Sequence, residues 1–229
     1  MTIHSFLLKL SSGAAFCAFS LAASLNATTI TLGGTSTPNG GVVSSVVGVN
    51  TVDFDSPLPA GVTYSYVPPS SGDAPAIVTG NLAGVYASPA GDSSQYLSTG
   101  TGSVVINFAD AIHYFGLYWG SIDSYNTIQF FTADSSTPES TFTGSDLLPT
   151  PDGITAEYVN FAAADGVEWN KIVLSSSSNA FETDNHAFGY APTTSIITSS
   201  TPEPGAGMLA IAGGFFLLTG LAYRQRRTA

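Results

Sequence analysis

The sequence predicts an all-β domain, an antiparallel β-sandwich or jelly roll, flanked by an N-terminal signal helix and a C-terminal transmembrane helix. Three observations point to this fold class. Apolar residues alternate with a period of two, as at Val104, Ile106 and Phe108, which is the pattern of a half-buried strand. Turn sequences rich in proline, glycine and aspartate recur roughly every ten residues between the candidate strands. Residues 28–192 contain no apolar stripe with the period of a helix, so little helix is expected there.

Several segments have the composition of β-strands, with β-branched and aromatic residues between turn sequences. In the most aromatic of them, residues 112–119, the side chains of Phe115 and Trp119 fall on one face, and those of Tyr114 and Tyr118 fall on the other. The other candidate strands are residues 28–32, 42–54, 62–67, 104–108, 127–132, 155–161, 167–174 and 186–190.

Residues 1–27 have the pattern of a secretory signal peptide. His4 and Lys9 are the potential positive charges at its start, and an apolar stretch then runs to Leu25 before small residues. Cleavage between residues 24 and 27 would remove Cys17, which is the single cysteine of the chain. The mature protein therefore cannot use disulfide bonds, even in an oxidising compartment.

The end of the chain predicts a membrane anchor, residues 206–223. This uncharged run would form a helix of roughly 27 Å, close to the thickness of a hydrocarbon core. The cluster Arg224, Arg226 and Arg227 follows it and would stay on the cytoplasmic side, which leaves the preceding domain outside. The alternative is a buried C-terminal core helix, but such a helix rarely lacks a polar face.

The expected organisation is one β domain between two targeting segments. With about 165 residues, the middle part is long enough to bury its own core. Lys171 is the only Lys or Arg between residues 28 and 201, and the chain has a formal net charge of −11. Such an acidic surface repels phosphate backbones, so no nucleic-acid partner is expected. The predicted parts are a signal peptide (1–27), a β-sandwich domain (28–192), a serine- and threonine-rich linker (193–201) and a C-terminal segment (202–227).

The sequence does not indicate an enzyme. The predicted mature part has two histidines, His113 and His186, and no Gly-x-Ser-x-Gly element that would present a nucleophile. His113 lies in an aromatic strand, where a hydrogen-bonded structural histidine is the simpler interpretation. A secreted, glycan-active hydrolase would need two facing carboxylates, and the sequence does not say which carboxylates face each other. No catalytic residue is therefore expected.

Calcium is the one cofactor for which the sequence offers ligands. Asp53 and Asp55 fall on the same side of one candidate strand. Asp184 and Asn185 supply further hard oxygen ligands of the kind that Ca²⁺ binds. No EF-hand loop accompanies them. The alternative is that these side chains cap turns through Asx hydrogen bonds.

Aromatic side chains provide a second candidate site. Tyr118, Trp119 and Tyr125 lie close together in the sequence and would stack on sugar rings if a sandwich face exposed them. A calcium-dependent, lectin-like carbohydrate-binding module is therefore one candidate function. The alternative is that these rings belong to the core, because aromatic residues dominate core packing.

Pro202, Glu203 and Pro204, followed by the apolar run and the arginine cluster, resemble the PEP-CTERM sorting signal of Gram-negative bacteria. A tail of this type is also called an ice-binding protein C-terminal domain, although no regular Thr-x-Thr ladder supports that activity here. The resemblance implies recognition by an exosortase, a membrane-embedded protease-transpeptidase, near residues 202–204. The protein would be anchored transiently in the inner membrane and then delivered to the outer surface or to an exopolysaccharide matrix.

The β domain is similar, more loosely, to the ectodomains of exosortase-dependent surface proteins. Residues 114–127 resemble a motif of one such family, and residues 181–185 read Phe-Glu-Thr-Asp-Asn, like the Phe-x-x-Asp-Asn of many last strands. The resemblance implies a non-catalytic binding or structural domain of a surface or biofilm-matrix protein. Extracellular polysaccharide is then a candidate partner.

Overall fold

The computed structural model describes residues 27–190, apart from Pro149, Asp152 and Ile154. Within these residues the chain forms fourteen strands and one short helix, and all strand pairs are antiparallel. The predicted all-β, antiparallel architecture is therefore confirmed for the domain. The signal peptide, the linker, the anchor and the Pro202–Glu203–Pro204 motif with its arginine cluster lie outside the described residues, except for Ala27.

The larger sheet has seven strands. The last strand of the domain is central to it, because it pairs with three other strands. The order along the sheet is β1 (Thr29–Leu32), β12 (Glu157–Ala162), β9 (Tyr114–Trp119), β14 (Glu182–Gly189), β7 (Tyr96–Ser98) and β6 (Ala76–Val78), and β4 (Asn50–Val52) also pairs with β14.

The second sheet has five strands, and a two-stranded hairpin and a single helical turn complete the domain. The helix is capped by Thr143, whose backbone N–H and hydroxyl both donate to the Asp146 carboxylate. The order in this sheet is β11 (Ser140–Thr143), β10 (Asn126–Phe131), β13 (Trp169–Ser176), β8 (Ser103–Ile112) and β5 (Val62–Val67); the hairpin is β2 (Thr35–Ser36) with β3 (Val42–Val43), and the helix is α1 (Gly144–Leu147). No helix among residues 27–190, as far as they are described, combines the length and apolar character needed to cross a membrane.

The core lies between the two sheets. Alternate residues of β8, such as Val104 and Ile106, are buried there, as the period of two predicts. Phe130 of β10 packs against Phe161 and Phe115 of the larger sheet, with ring centroids 5.0 and 6.2 Å apart. These contacts join the inner faces of both sheets into one hydrophobic cluster, so the domain is sandwich-like.

The outer face of the larger sheet is also covered. A second buried cluster on this face consists of Tyr114, Tyr118 and Tyr158. The segment 33–49, which we call the cover segment, packs against this cluster through Val42, Val46 and Val49. Gly41 makes this cover possible, because a Cβ there would lie 2.6 Å from a ring carbon of Tyr118. Both faces of β9 are therefore buried, and its two predicted aromatic faces belong to two different clusters.

The structure departs from the sequence prediction where strands are short or broken. Residues 42–54 were expected as one strand, but the chain forms only β3 and β4 there, separated by a turn at Gly48 with a φ of +77°. Strands β2, β6, β7 and β11 were not predicted. They have only two to four residues each, which is too few for an alternating pattern to stand out.

Candidate functional site

Two of the three aromatic residues expected to stack on sugars are buried. Tyr118 is 3% exposed and Trp119 is fully buried, with its ring centroid 4.4 Å from that of Phe181. The indole Nε1 of Trp119 donates to the carbonyl of Ser121. The alternative interpretation, that these rings belong to the core, fits Tyr118 and Trp119. Tyr125 is partly exposed, so it is the member of this set that a ligand can reach.

Tyr125 lies between two surface cavities. One, of about 300 Å³, is lined by side chains that include Asp123, Asn179 and Glu182. The other, of about 460 Å³, is lined mainly by hydroxyl-bearing and proline residues at one end of the smaller sheet. We refer to the first as the Tyr125 cavity. Among the residues that the structure describes, none that lines this cavity is basic.

Glu182 forms a fixed, buried wall of the Tyr125 cavity. The backbone N–H of Ala87 donates to its Oε1 at 2.8 Å, and the hydroxyl of Ser121 donates to its Oε2. Burial raises the pKa of Glu182, the two hydrogen bonds oppose this increase, and nearby Asp123 adds to it. The carboxyl group is therefore held in one orientation at the edge of the cavity.

Asn179 and Tyr125 provide polar groups next to Glu182. The Nδ2 of Asn179 donates to the carboxylate of Asp73, whereas its Oδ1 is buried and has no hydrogen-bond partner among the described residues. The hydroxyl of Tyr125 donates to the carbonyl of Asn179 at 3.2 Å, and burial raises the pKa of this hydroxyl to about 12. The phenol is therefore neutral at physiological pH. The cavity combines an aromatic ring with an amide and two carboxyl groups.

Neither histidine of the domain lines this cavity. His186 is buried, and its two ring nitrogens are hydrogen-bonded to the hydroxyls of Tyr64 and Thr183, both at 2.9 Å. Burial lowers the pKa of His186 to about 3, so the ring is neutral at physiological pH. His113 donates from Nδ1 to the carbonyl of Val167 at 3.1 Å. Both rings thus have structural partners.

The structure does not bring the predicted calcium ligands together in one cluster. Asp53 accepts hydrogen bonds from the backbone N–H groups of Asp55 and Ser56 and from the Ser56 hydroxyl, at 3.2, 2.9 and 3.0 Å. This is the turn-capping alternative. Asp55 accepts from the backbone and side-chain nitrogens of Gln95. Among the described residues, no group of three or more His, Cys, Asp or Glu side chains is arranged to hold a metal ion.

Asp184 and Asn185 lie at a bulge of β14, and their side chains differ in the contacts they make. Asn185 has a φ of +50°, and its Nδ2 donates to the carbonyls of Gly40 and Val42 at 2.7 and 3.2 Å. Its side chain thereby holds the cover segment 33–49 against the sheet. Asp184 is 1% exposed, and among residues 27–190, as far as they are described, neither of its carboxylate oxygens has a well-formed hydrogen bond, although the backbone N–H of Asn185 interacts with the group.

Sequence reasoning missed Asp92, which is the acidic neighbour of Asp184. The two carboxyl groups are close enough to share a hydrogen bond when one of them is protonated. Asp92 ends a Ser-Pro-Ala-Gly-Asp turn, and its separation from Asp184 in the sequence hides the contact. The sequence shows only that Asp92 is an acidic residue at the end of a turn that precedes a buried strand. Acidic residues are common at such positions, so this pattern does not identify Asp92 as the neighbour of Asp184.

A comparison with protein-family models, curated proteins and solved structures finds no match to the chain.

Proposed function

We propose that this chain is an exported, exosortase-sorted protein of the surface or exopolysaccharide matrix of a Gram-negative bacterium, with a non-catalytic binding β domain. The signal-peptide pattern of residues 1–27 and the tail at residues 202–227 support export and sorting. Pro202, Glu203 and Pro204 would be the processing motif, and residues 206–223 would be the transient inner-membrane helix. We further propose that the sandwich has jelly-roll connectivity.

The observation that carries the binding part of the proposal is the Tyr125 cavity. A partly exposed tyrosine ring offers a surface to the apolar face of a sugar. The carboxyl group of Asp123, which is partly exposed at the cavity, would accept hydrogen bonds from sugar hydroxyls. Because the described lining of the cavity is acidic and contains no basic residue, a neutral or amino-substituted polysaccharide fits it better than an anionic one.

Replacing Tyr125 with alanine should weaken polysaccharide binding about tenfold, which corresponds to ~1.4 kcal/mol and is the size of an aromatic contact. The measurement is co-sedimentation of the full chain, purified in mild detergent, with exopolysaccharide extracted from the producing bacterium. Chitin and cellulose serve as defined amino-substituted and neutral comparators. The matched control is Tyr190→Ala, because Tyr190 is exposed and does not line the cavity.

Equal binding by the native chain and the Tyr125→Ala variant would contradict the assignment of this cavity, and absence of binding by the native chain would contradict polysaccharide binding as a whole. Release of new reducing ends in the same assay would instead support an enzyme.

A secreted, glycan-active hydrolase is the second candidate, and one observation favours it. Glu182, whose pKa is raised by burial, lines the same cavity as Asp123. A glycosidase uses a pair of carboxyl groups that flank the scissile bond. If this candidate is correct, Glu182→Gln abolishes reducing-end release. If the cavity only binds, that variant changes affinity and no product forms with either chain.

A further inference from the structure

Asp184 and Asp92 form a buried pair of carboxyl groups that lacks the usual partners. Asp184 is 1% exposed and Asp92 is 8% exposed. Three of their four oxygens, both from Asp184 and Oδ2 from Asp92, are buried and have no well-formed hydrogen bond within the described part of the chain, although the backbone N–H of Asn185 interacts with the Asp184 carboxyl group. The remaining oxygen, Oδ1 of Asp92, accepts from the backbone N–H of Ser94 at 2.8 Å and from its hydroxyl.

The fold builds this pair from two separate elements. Asp184 lies opposite Tyr118 in the register of β14 with β9, so its side chain lies on the outer face of the sheet, beneath the cover segment. Asp92 closes the turn at residues 89–92, where its N–H donates to the carbonyl of Pro89 and its own carbonyl accepts from Ser88. Asp92 also forms a β-bridge with Gly40 of the cover segment.

The described residues offer no positive charge to this pair. Lys171 is their only Lys or Arg, and its ammonium group lies over the ring of Phe131, 4.0 Å from the centroid. Neutral His186 has both ring nitrogens occupied. The charged neighbours that act on Asp184 are Asp92 and Asp55, and both are acidic.

An ionised carboxylate buried without a partner costs several kcal/mol, so the pair must be neutralised in the folded protein. A shared proton is one means. A bound cation is the other. The oxygen ligands of Ca²⁺ lie ~2.4 Å from the ion, so two adjacent ligand oxygens are about 3 Å apart. Two carboxyl groups in hydrogen-bonding contact have a similar separation between their oxygens.

We propose that Asp92 and Asp184 together bind one Ca²⁺ ion beneath the cover segment. Both oxygens of Asp184 and Oδ2 of Asp92 are the side-chain ligands, and main-chain carbonyls or water complete the six to eight oxygens that Ca²⁺ takes. Asp55 contributes negative potential without being a ligand. The site does not depend on the Tyr125 cavity, so it stands whether or not the domain binds polysaccharide.

An ion at this position would join three parts of the domain. It would connect β14 with the turn at residues 89–92, and through the bridge of Asp92 with Gly40 it would hold the cover segment 33–49. Asn185 already donates to the carbonyls of Gly40 and Val42 from the same strand. The role of the ion is therefore structural.

The test is the melting temperature of the full chain in mild detergent, followed by tryptophan fluorescence after removal of metal with EDTA. We expect Ca²⁺ at millimolar concentration to raise the melting temperature by about 5 °C or more, because a ligand that binds only the folded state stabilises it. Asp184→Asn and Asp92→Asn should each abolish the shift. Asp110→Asn, which removes an exposed carboxylate from β8, should leave the shift unchanged.

Direct binding to the native chain provides a measurement that needs no variant. Equilibrium dialysis with radioactive Ca²⁺ should give one high-affinity ion per chain, and an excess of Mg²⁺ should displace it poorly. No shift in melting temperature and no bound Ca²⁺ would overturn the proposal.

Discussion

Replacing Phe130 with alanine is expected to lower the free energy of unfolding by about 3–5 kcal/mol, the usual cost of removing a fully buried aromatic side chain. Phe130 is fully buried, and its ring centroid lies 4.3 Å from that of Trp169 in its own sheet. It also packs against Phe161 and Phe115 across the interior. The variant therefore leaves a cavity at the junction of the two sheets.

Urea unfolding of the full chain, followed by tryptophan fluorescence, measures this effect. The chain has two tryptophans, Trp119 and Trp169, and both are fully buried in the β domain, so their emission reports its unfolding. Val47→Ala is the control because Val47 is 87% exposed, and it should change stability by less than about 0.5 kcal/mol. A loss below ~1 kcal/mol for Phe130→Ala would contradict a core shared by both sheets.

Asn185→Ala is expected to cost about 2–3 kcal/mol. The change removes two hydrogen bonds from a buried side chain to the carbonyls of Gly40 and Val42, each with a net value of ~1 kcal/mol. It also places a residue with a Cβ at a φ of +50°, which asparagine tolerates better than alanine does. Urea unfolding gives the size of the loss, and limited proteolysis shows whether cleavage occurs within residues 33–49.

Asn185→Gly separates the two causes. Glycine lacks the hydrogen bonds but adopts a positive φ without strain, so this variant should be about 1 kcal/mol more stable than Asn185→Ala. If the two variants lost the same amount of stability, the positive φ at residue 185 would not contribute to the destabilisation of Asn185→Ala. Unchanged proteolysis of residues 33–49 in both would contradict the role of Asn185 in holding the cover segment.

The sequence was sufficient for the fold class because most long strands have regular alternation. Strand β8 buries Val104, Ile106 and Phe108, and β9 divides its aromatic residues between two faces, both as predicted. The cover segment was not predictable in this way. Residues 42–49 are rich in valine, like a strand, but Val42, Val46 and Val49 pack onto the outer face of the larger sheet, and that contact is long-range.

The candidate sites were less predictable because they depend on contacts between distant residues. A bulge in β14 directs Asp184 to the outer face and places the ring of His186 against Phe115 in the core, although simple alternation would put both on one face. The neighbour of Asp184 is Asp92, in a turn far away in the sequence. Tyr118 and Trp119 have the composition of a sugar-binding surface, and only their burial separates them from Tyr125.

The proposed export and release are tested most directly by the intact mass of the protein recovered from the extracellular fraction of its own bacterium. We predict a chain that begins between residues 25 and 28 and ends near residues 202–204, with the anchor removed. Deletion of the exosortase should leave the tail attached and the protein in the membrane fraction. Recovery of the uncleaved 23.5 kDa chain from cells of the native strain, with none outside, would contradict this account.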